Sequence, residues 1–188
     1  IDSTGYTTAT TLASSYTFYY LFGYCTGLTS AENLVLPATI LTEFCYGDMF
    51  GSCTSLEEAP SLPATILANN CYEYMFQNCT SLTTAPALPA TTLASYCYDS
   101  MFLGCTSLTT APSLPATTLT EYCYADMFQS CTSLTTVPEL HSTTLAEGCY
   151  NGMFDGCTSL TTTPSILPAT ILSSNCYAGM FYNCSSLT

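Results

Sequence analysis

A period of 26 residues constrains this chain more than any other feature. A cysteine recurs at Cys45, Cys71, Cys97, Cys123, Cys149 and Cys176, and a second follows eight residues later at Cys53, Cys79, Cys105, Cys131, Cys157 and Cys184. One extra residue within 164–168 stretches the spacing to 27 once. The fullest copy is residues 97–122, CYDSMFLGCTSLTTAPSLPATTLTEY. Each copy is too small to enclose its own apolar face, so copies must stack, and a fixed period of this size predicts a solenoid.

Within a copy, Cys97, Met101 and Cys105 stand four residues apart, with Tyr98 and Phe102 one residue on. That spacing predicts a short helix burying one stripe. All six methionines, Met49, Met75, Met101, Met127, Met153 and Met180, occupy this stripe. Core packing explains them better than a cofactor groove does. The following Thr-Ser-Leu-Thr-Thr-Ala-Pro is rich in β-branched residues and reads as a short parallel strand. It is closed by the proline column Pro60, Pro86, Pro112, Pro138 and Pro164, because proline removes a ladder donor. A second column, Pro37, Pro63, Pro89, Pro115 and Pro168, marks an extended return. The expectation is therefore an α/β repeat solenoid of about seven 26-residue coils, each with one short strand and one short helix.

Residues 1–24 read as a degenerate first repeat and N-terminal cap, and residues 25–188 as the solenoid proper. The cap carries Tyr16, Phe18, Tyr19, Tyr20 and Phe22, a cluster expected to associate with another surface if left bare. The linker from Cys25 to Cys45 is two residues longer than its later equivalents, with the surplus at 31–34. The chain opens without methionine and stops within a repeat, which predicts a processed or partial chain.

Composition excludes several functions. There is no Lys or Arg among 188 residues, against 13 Asp and Glu, for a formal charge of −13. Nothing is present to neutralise phosphates, so neither nucleic acid nor an anionic membrane is an expected partner. The acidic residues are scattered and read as solubilising charge. One histidine, His141, replaces a proline of the return segment and has no partner column. Without a base, a nucleophile pair or a cationic clamp, no enzyme and no cofactor is expected.

The run CYxxMFxxCTSLTTAPxLPATTL resembles the BspA-like leucine-rich repeats of bacterial surface proteins, over about residues 16–188. That resemblance implies a leucine-rich-repeat solenoid at a cell surface or in an extracellular appendage, engaged in adhesion or protein contact. The absence of basic residues departs from what the resemblance implies.

Thirteen cysteines in a ladder suit an oxidising compartment, although cysteine is also a small buried hydrophobe. Two cysteines eight apart on a helix lie about 12 Å apart along its axis, beyond the span of about 4.4–6.8 Å between disulfide Cα atoms. One reading therefore joins successive repeats: Cys25–Cys45, Cys53–Cys71, Cys79–Cys97, Cys105–Cys123, Cys131–Cys149 and Cys157–Cys176, with Cys184 left over. The other is buried free thiols. Metal binding lacks the close ligand spacing of zinc sites.

Two functional expectations follow. One is an extracellular structural subunit that associates with itself head to tail, since open association of this kind produces fibres by symmetry. The other is an adhesion or protein-binding module contacting another surface protein through variable columns such as Gly47, Glu73, Asp99, Ala125, Asn151 and Ala178. Asn78-Cys-Thr80 and Asn183-Cys-Ser185 match the N-glycosylation pattern.

Overall fold

Each coil is built on a ten-residue run of consecutive turns. In the computed structural model, which describes residues 10–188, these runs span 15–24, 43–52, 69–78, 95–104, 121–130, 147–156 and 174–183. Their backbone donors divide by alternation. In the second coil the N–H groups of Phe44, Tyr46, Asp48, Phe50 and Ser52 donate to the carbonyls of Asn69, Cys71, Glu73, Met75 and Gln77 in the third, at 2.7–3.2 Å. The intervening Cys45, Gly47, Met49, Gly51 and Cys53 donate three residues back within their own coil, at 3.0–3.3 Å. Half the donors close turns and half hold the next coil, so the backbone polar groups of this segment are satisfied without helix or sheet.

The expected short helix does not form: no helix is present among the described residues. The reason is visible in the dihedrals. Every fourth residue of a run adopts positive φ, between 48° and 72°, as at Phe44, Asp48 and Ser52 or at Gly148, Gly152 and Gly156. A left-handed residue at that interval breaks a right-handed helix and swings alternate N–H groups outward to the neighbour. The four-residue turn repeat nevertheless has nearly the period of a helix. Positions i, i+1, i+4, i+5 and i+8 still face one way, and Cys97, Tyr98, Met101, Phe102 and Cys105 are all buried, at 0–1% exposure.

The expected strand is reduced to single contacts. Parallel bridges join Ser30 to Glu58 and Thr110 to Thr136 in the segment after the second cysteine, and a second column joins Thr11, Ile40, Ile66 and Thr92, with Thr144 to Ile171. A proline stands two residues after Glu58, Thr110 and Thr136 and three residues before Ile40, Ile66, Thr92 and Ile171, so the ladder stops there after one pair. The surplus at 31–34 forms an outward turn closed by the Leu34 N–H on the Ala31 carbonyl at 2.9 Å.

The core consists of parallel columns running through the coils. Tyr46, Tyr72, Tyr98, Tyr124, Tyr150 and Tyr177 stack with ring centroids 5.7–5.9 Å apart and planes within 9°. Phe22, Phe50, Phe76, Phe102, Phe128, Phe154 and Phe181 form a second stack at 5.3–5.6 Å. In the interior coils methionines, cysteines and the leucines Leu56, Leu82, Leu108, Leu134 and Leu160 fill the remaining columns without exposure. Burial of each such side chain contributes about 1.5–3 kcal/mol. An interior ring is covered on both faces only because a neighbouring coil lies on each side, which makes stability a property of the stack.

Candidate functional site

The hydrogen-bond ladder has a direction, and its two ends therefore differ. Within the turn runs the donors belong to the earlier coil and the acceptors to the later one, whereas in the bridge segments bonds such as Glu57 N–H to the Thr29 carbonyl run the other way. In the seventh coil, the N–H groups of Asn175, Tyr177, Gly179, Phe181 and Asn183 consequently have no backbone acceptor among the described residues. In the first coil, the carbonyls of Ser15, Thr17, Tyr19, Leu21 and Gly23 receive no backbone donor among the described residues. One end presents a row of donors and the other a row of acceptors, as the edge of a sheet does.

The apolar columns end in the same two places. Leu21 takes the methionine position in the first coil and is 52% exposed, whereas the methionines are 0–3% exposed. Leu172 is 63% exposed, whereas Leu41, Leu67, Leu93, Leu119 and Leu145 are 4–8% exposed. An apolar recess of about 320 Å³ opens near the first coil, lined by Leu12, Phe18, Leu21, Leu34 and Val35 among others.

The five aromatics singled out in the first coil divide into two groups. Phe18 stacks on Tyr46 at 5.4 Å and Phe22 on Phe50 at 5.3 Å, so both head core columns. Tyr16 stacks on Phe44 at 4.8 Å, and Tyr19 meets Tyr16 and Tyr20 edge-on at 5.4 and 4.7 Å, making an outer patch. Tyr20 is held by the Asp48 carboxylate, which together with its charge pushes the phenol up to about 12.

The staples proposed from the cysteine spacing are absent: all thirteen cysteines are free thiols, twelve of them buried and Cys25 exposed. The first and second cysteines of each copy belong to separate columns. Cys71 feels Cys45 and Cys97, and Cys105 feels Cys79 and Cys131, but neither column senses the other. The correction follows from the turn geometry, which keeps each column in register along the stack and does not tilt one cysteine toward the other. The second column has a specific task. Cys53, Cys79, Cys105, Cys131, Cys157 and Cys184 donate their thiols to the carbonyls of Phe22, Phe50, Phe76, Phe102, Phe128 and Phe154 in the preceding coil, at 3.0–3.2 Å. Burial pushes the Cys79, Cys97, Cys149 and Cys157 thiols up to about 12, which keeps them protonated and unreactive.

A feature that sequence reasoning missed is a ridge of carboxylates on the turn side. Asp48, Glu73, Asp99 and Asp126 come from four successive coils, and the charge of Asp48 adds to the desolvation that raises Glu73. Desolvation first, and then the charges of Glu73 and Asp126, push Asp99 up to about 7, against a hydrogen bond from Ser100 at 2.9 Å. Asp48 is 3% exposed and accepts both hydrogen bonds of the Gln77 amide at 3.2 Å. The residues lie about one period apart in sequence, so only alignment of the copies by column could have found the ridge. Of the variable columns, Glu73, Asp99 and Asn151 are half-buried, Gly47 and Ala125 buried, and Ala178 exposed. His141 is exposed, and no group of three metal-ligating side chains occurs among the described residues.

No family model matches the sequence, and no curated protein matches it. Among solved structures, the chain is similar to a leucine-rich repeat protein of T. pallidum, with 18% identity, 81% of this chain and 73% of that chain covered, and a TM-score of 0.46. It is also similar to a leucine-rich cell surface protein from Faecalibacterium prausnitzii A2-165, with 15% identity, 97% and 76% coverage, and a TM-score of 0.27. A leucine-rich repeat protein from Bacteroides ovatus ATCC 8483 matches at 16% identity, 81% and 58% coverage, and a TM-score of 0.25.

Proposed function

We propose that this chain is an extracellular structural repeat protein, a subunit of a filament or surface appendage that grows by stacking coils of one copy on coils of the next. The observation that carries this reading is the polarity of the turn ladder: in every run the N–H groups that leave the coil donate to the following coil and the carbonyls accept from the preceding one, so coils add in one direction and one register. Head-to-tail contacts of this heterologous kind do not close on themselves and so extend. Negative-stain electron microscopy beside sedimentation tests it. Filaments whose mass grows with concentration support the reading, and discrete rods of constant mass overturn it.

A second reading, an adhesion or protein-binding module, is favoured by the carboxylate ridge together with Tyr19, Tyr20 and Tyr74. A ridge of that chemistry suits a cationic protein partner, recognised by charge complementarity. Neither reading involves catalysis or a cofactor.

A further inference from the structure

One outer column of the turn runs holds Phe44, Asn70, Tyr96, Tyr122, Gly148 and Asn175. Tyr96 and Tyr122 belong to the fourth and fifth coils, away from both ends of the stack. We infer that this pair is an oxidative cross-linking site, at which a peroxidase and hydrogen peroxide couple the two phenols into dityrosine and tie the two coils covalently. The link lies within one chain and is independent of how chains assemble.

Three observations fit. The first is geometry. The two rings are parallel to within 5° with centroids 5.1 Å apart, closer than the 5.7–5.9 Å of the core tyrosine stack. The ladder fixes their register, with the Tyr96 N–H on the Glu121 carbonyl at 3.0 Å and the Tyr122 N–H on the Glu147 carbonyl at 2.9 Å. The second is access. Both residues are half-buried, whereas Tyr46, Tyr72, Tyr98, Tyr124 and Tyr150 are 1–2% exposed. Among the described residues no other parallel tyrosine pair has both members outside the buried core. The third is the setting of Tyr122. Gly148 makes room for its ring, since a Cβ there would strike it, and the hydroxyl donates to the Glu147 carboxylate at 3.5 Å. That carboxylate stands where the phenol proton leaves.

The chemistry balances. Each phenol loses its hydroxyl proton and one electron, and hydrogen peroxide takes both electrons with two protons to become two waters. The two radicals join through ring carbons ortho to oxygen, and the hydrogens on those carbons move to the oxygens, restoring both phenols. The new bond closes the chain between residues 96 and 122 into a loop that persists on unfolding, the effect a disulfide between these coils would have.

The test treats the 188-residue chain, dilute and with Cys25 blocked by N-ethylmaleimide, with a haem peroxidase and hydrogen peroxide. The expected result is dityrosine fluorescence, a single chain lighter by two hydrogens, and a peptide pair joined through Tyr96 and Tyr122 after pepsin digestion. Tyr96→Phe and Tyr122→Phe each keep the stacked ring and remove one phenol. Both are expected to lose that peptide pair while the circular dichroism spectrum stays unchanged. Tyr182→Phe, which removes an exposed phenol elsewhere, is expected to keep it. Dityrosine that forms equally in Tyr96→Phe, or that joins only other tyrosines, would overturn the inference. A folded chain that yields none under these conditions would overturn it as well.

Discussion

The thiol of Cys105 donates a hydrogen bond to the carbonyl oxygen of Phe76, one coil earlier, at 3.0 Å. The same oxygen receives the Cys79 N–H at 3.1 Å, so the carbonyl ties its own turn and the following coil together. Sulfur is small and apolar enough for a column at 0% exposure, yet retains a donor. Disulfide formation would consume that donor and pull the column out of register.

Thiol counting checks this directly. In the native, unassembled protein only Cys25 is expected to react with a thiol reagent, because the rest are buried and held protonated. In denaturant without reductant, all thirteen are expected to react. The staple pairing requires twelve to stay silent there, so the two outcomes are well separated.

Phe102→Ala removes a ring covered on both faces by Phe76 and Phe128. It is expected to cost about 3–5 kcal/mol in urea unfolding, the range for a large aromatic in a packed core. Phe181→Ala, at a stack end with one neighbouring ring at 5.5 Å, should cost about half as much by the same reckoning of lost contacts.

Ser130→Gly relieves a left-handed residue at φ 61°, in the column where neighbouring coils carry Gly104 and Gly156. Left-handed backbone costs an L-residue about 1–2 kcal/mol, offset by the greater freedom glycine has when unfolded. A net gain of about 0.5–1 kcal/mol is expected from thermal or urea unfolding. The reverse change, Gly104→Ala, is expected to destabilise, since a Cβ there would strike the Asn78 amide oxygen and φ is 72°.

Acid should stabilise the fold. Asp99 sits at about 7 when folded against an ordinary 3.8, so between these values the native chain binds more protons than the unfolded one. Stability then falls as pH rises through that window. Glu73 and Asp126 are raised too, mainly by desolvation, and act in the same direction. The midpoint of thermal unfolding is expected to be higher at about pH 4.5 than at about pH 8, with Asp99→Asn flattening the dependence. A midpoint that rises with pH would contradict the ridge.

The 26-residue period determined the solenoid, the number of coils and which side chains face inward, because burial columns depend only on spacing and residue type. Tyr98, Met101 and Phe102 lie in the core as their positions require. Whether that spacing is wound as helix or as turns was not legible over eight residues, since periods of 3.6 and 4 diverge too little. The decision belongs to tertiary structure: with a coil on each side, alternate N–H groups bond outward, and strain at residues such as Tyr96, at φ 58°, is offset by stacking on Tyr122 at 5.1 Å. The cysteines show the same division. Their regular placement was written in the chain, but only the stack decided that those of the second column meet a carbonyl of the preceding coil and not the other cysteine column. The carboxylate ridge and the opposite polarity of the two ends likewise exist only once the coils lie on one another, because both arise between residues about a period apart.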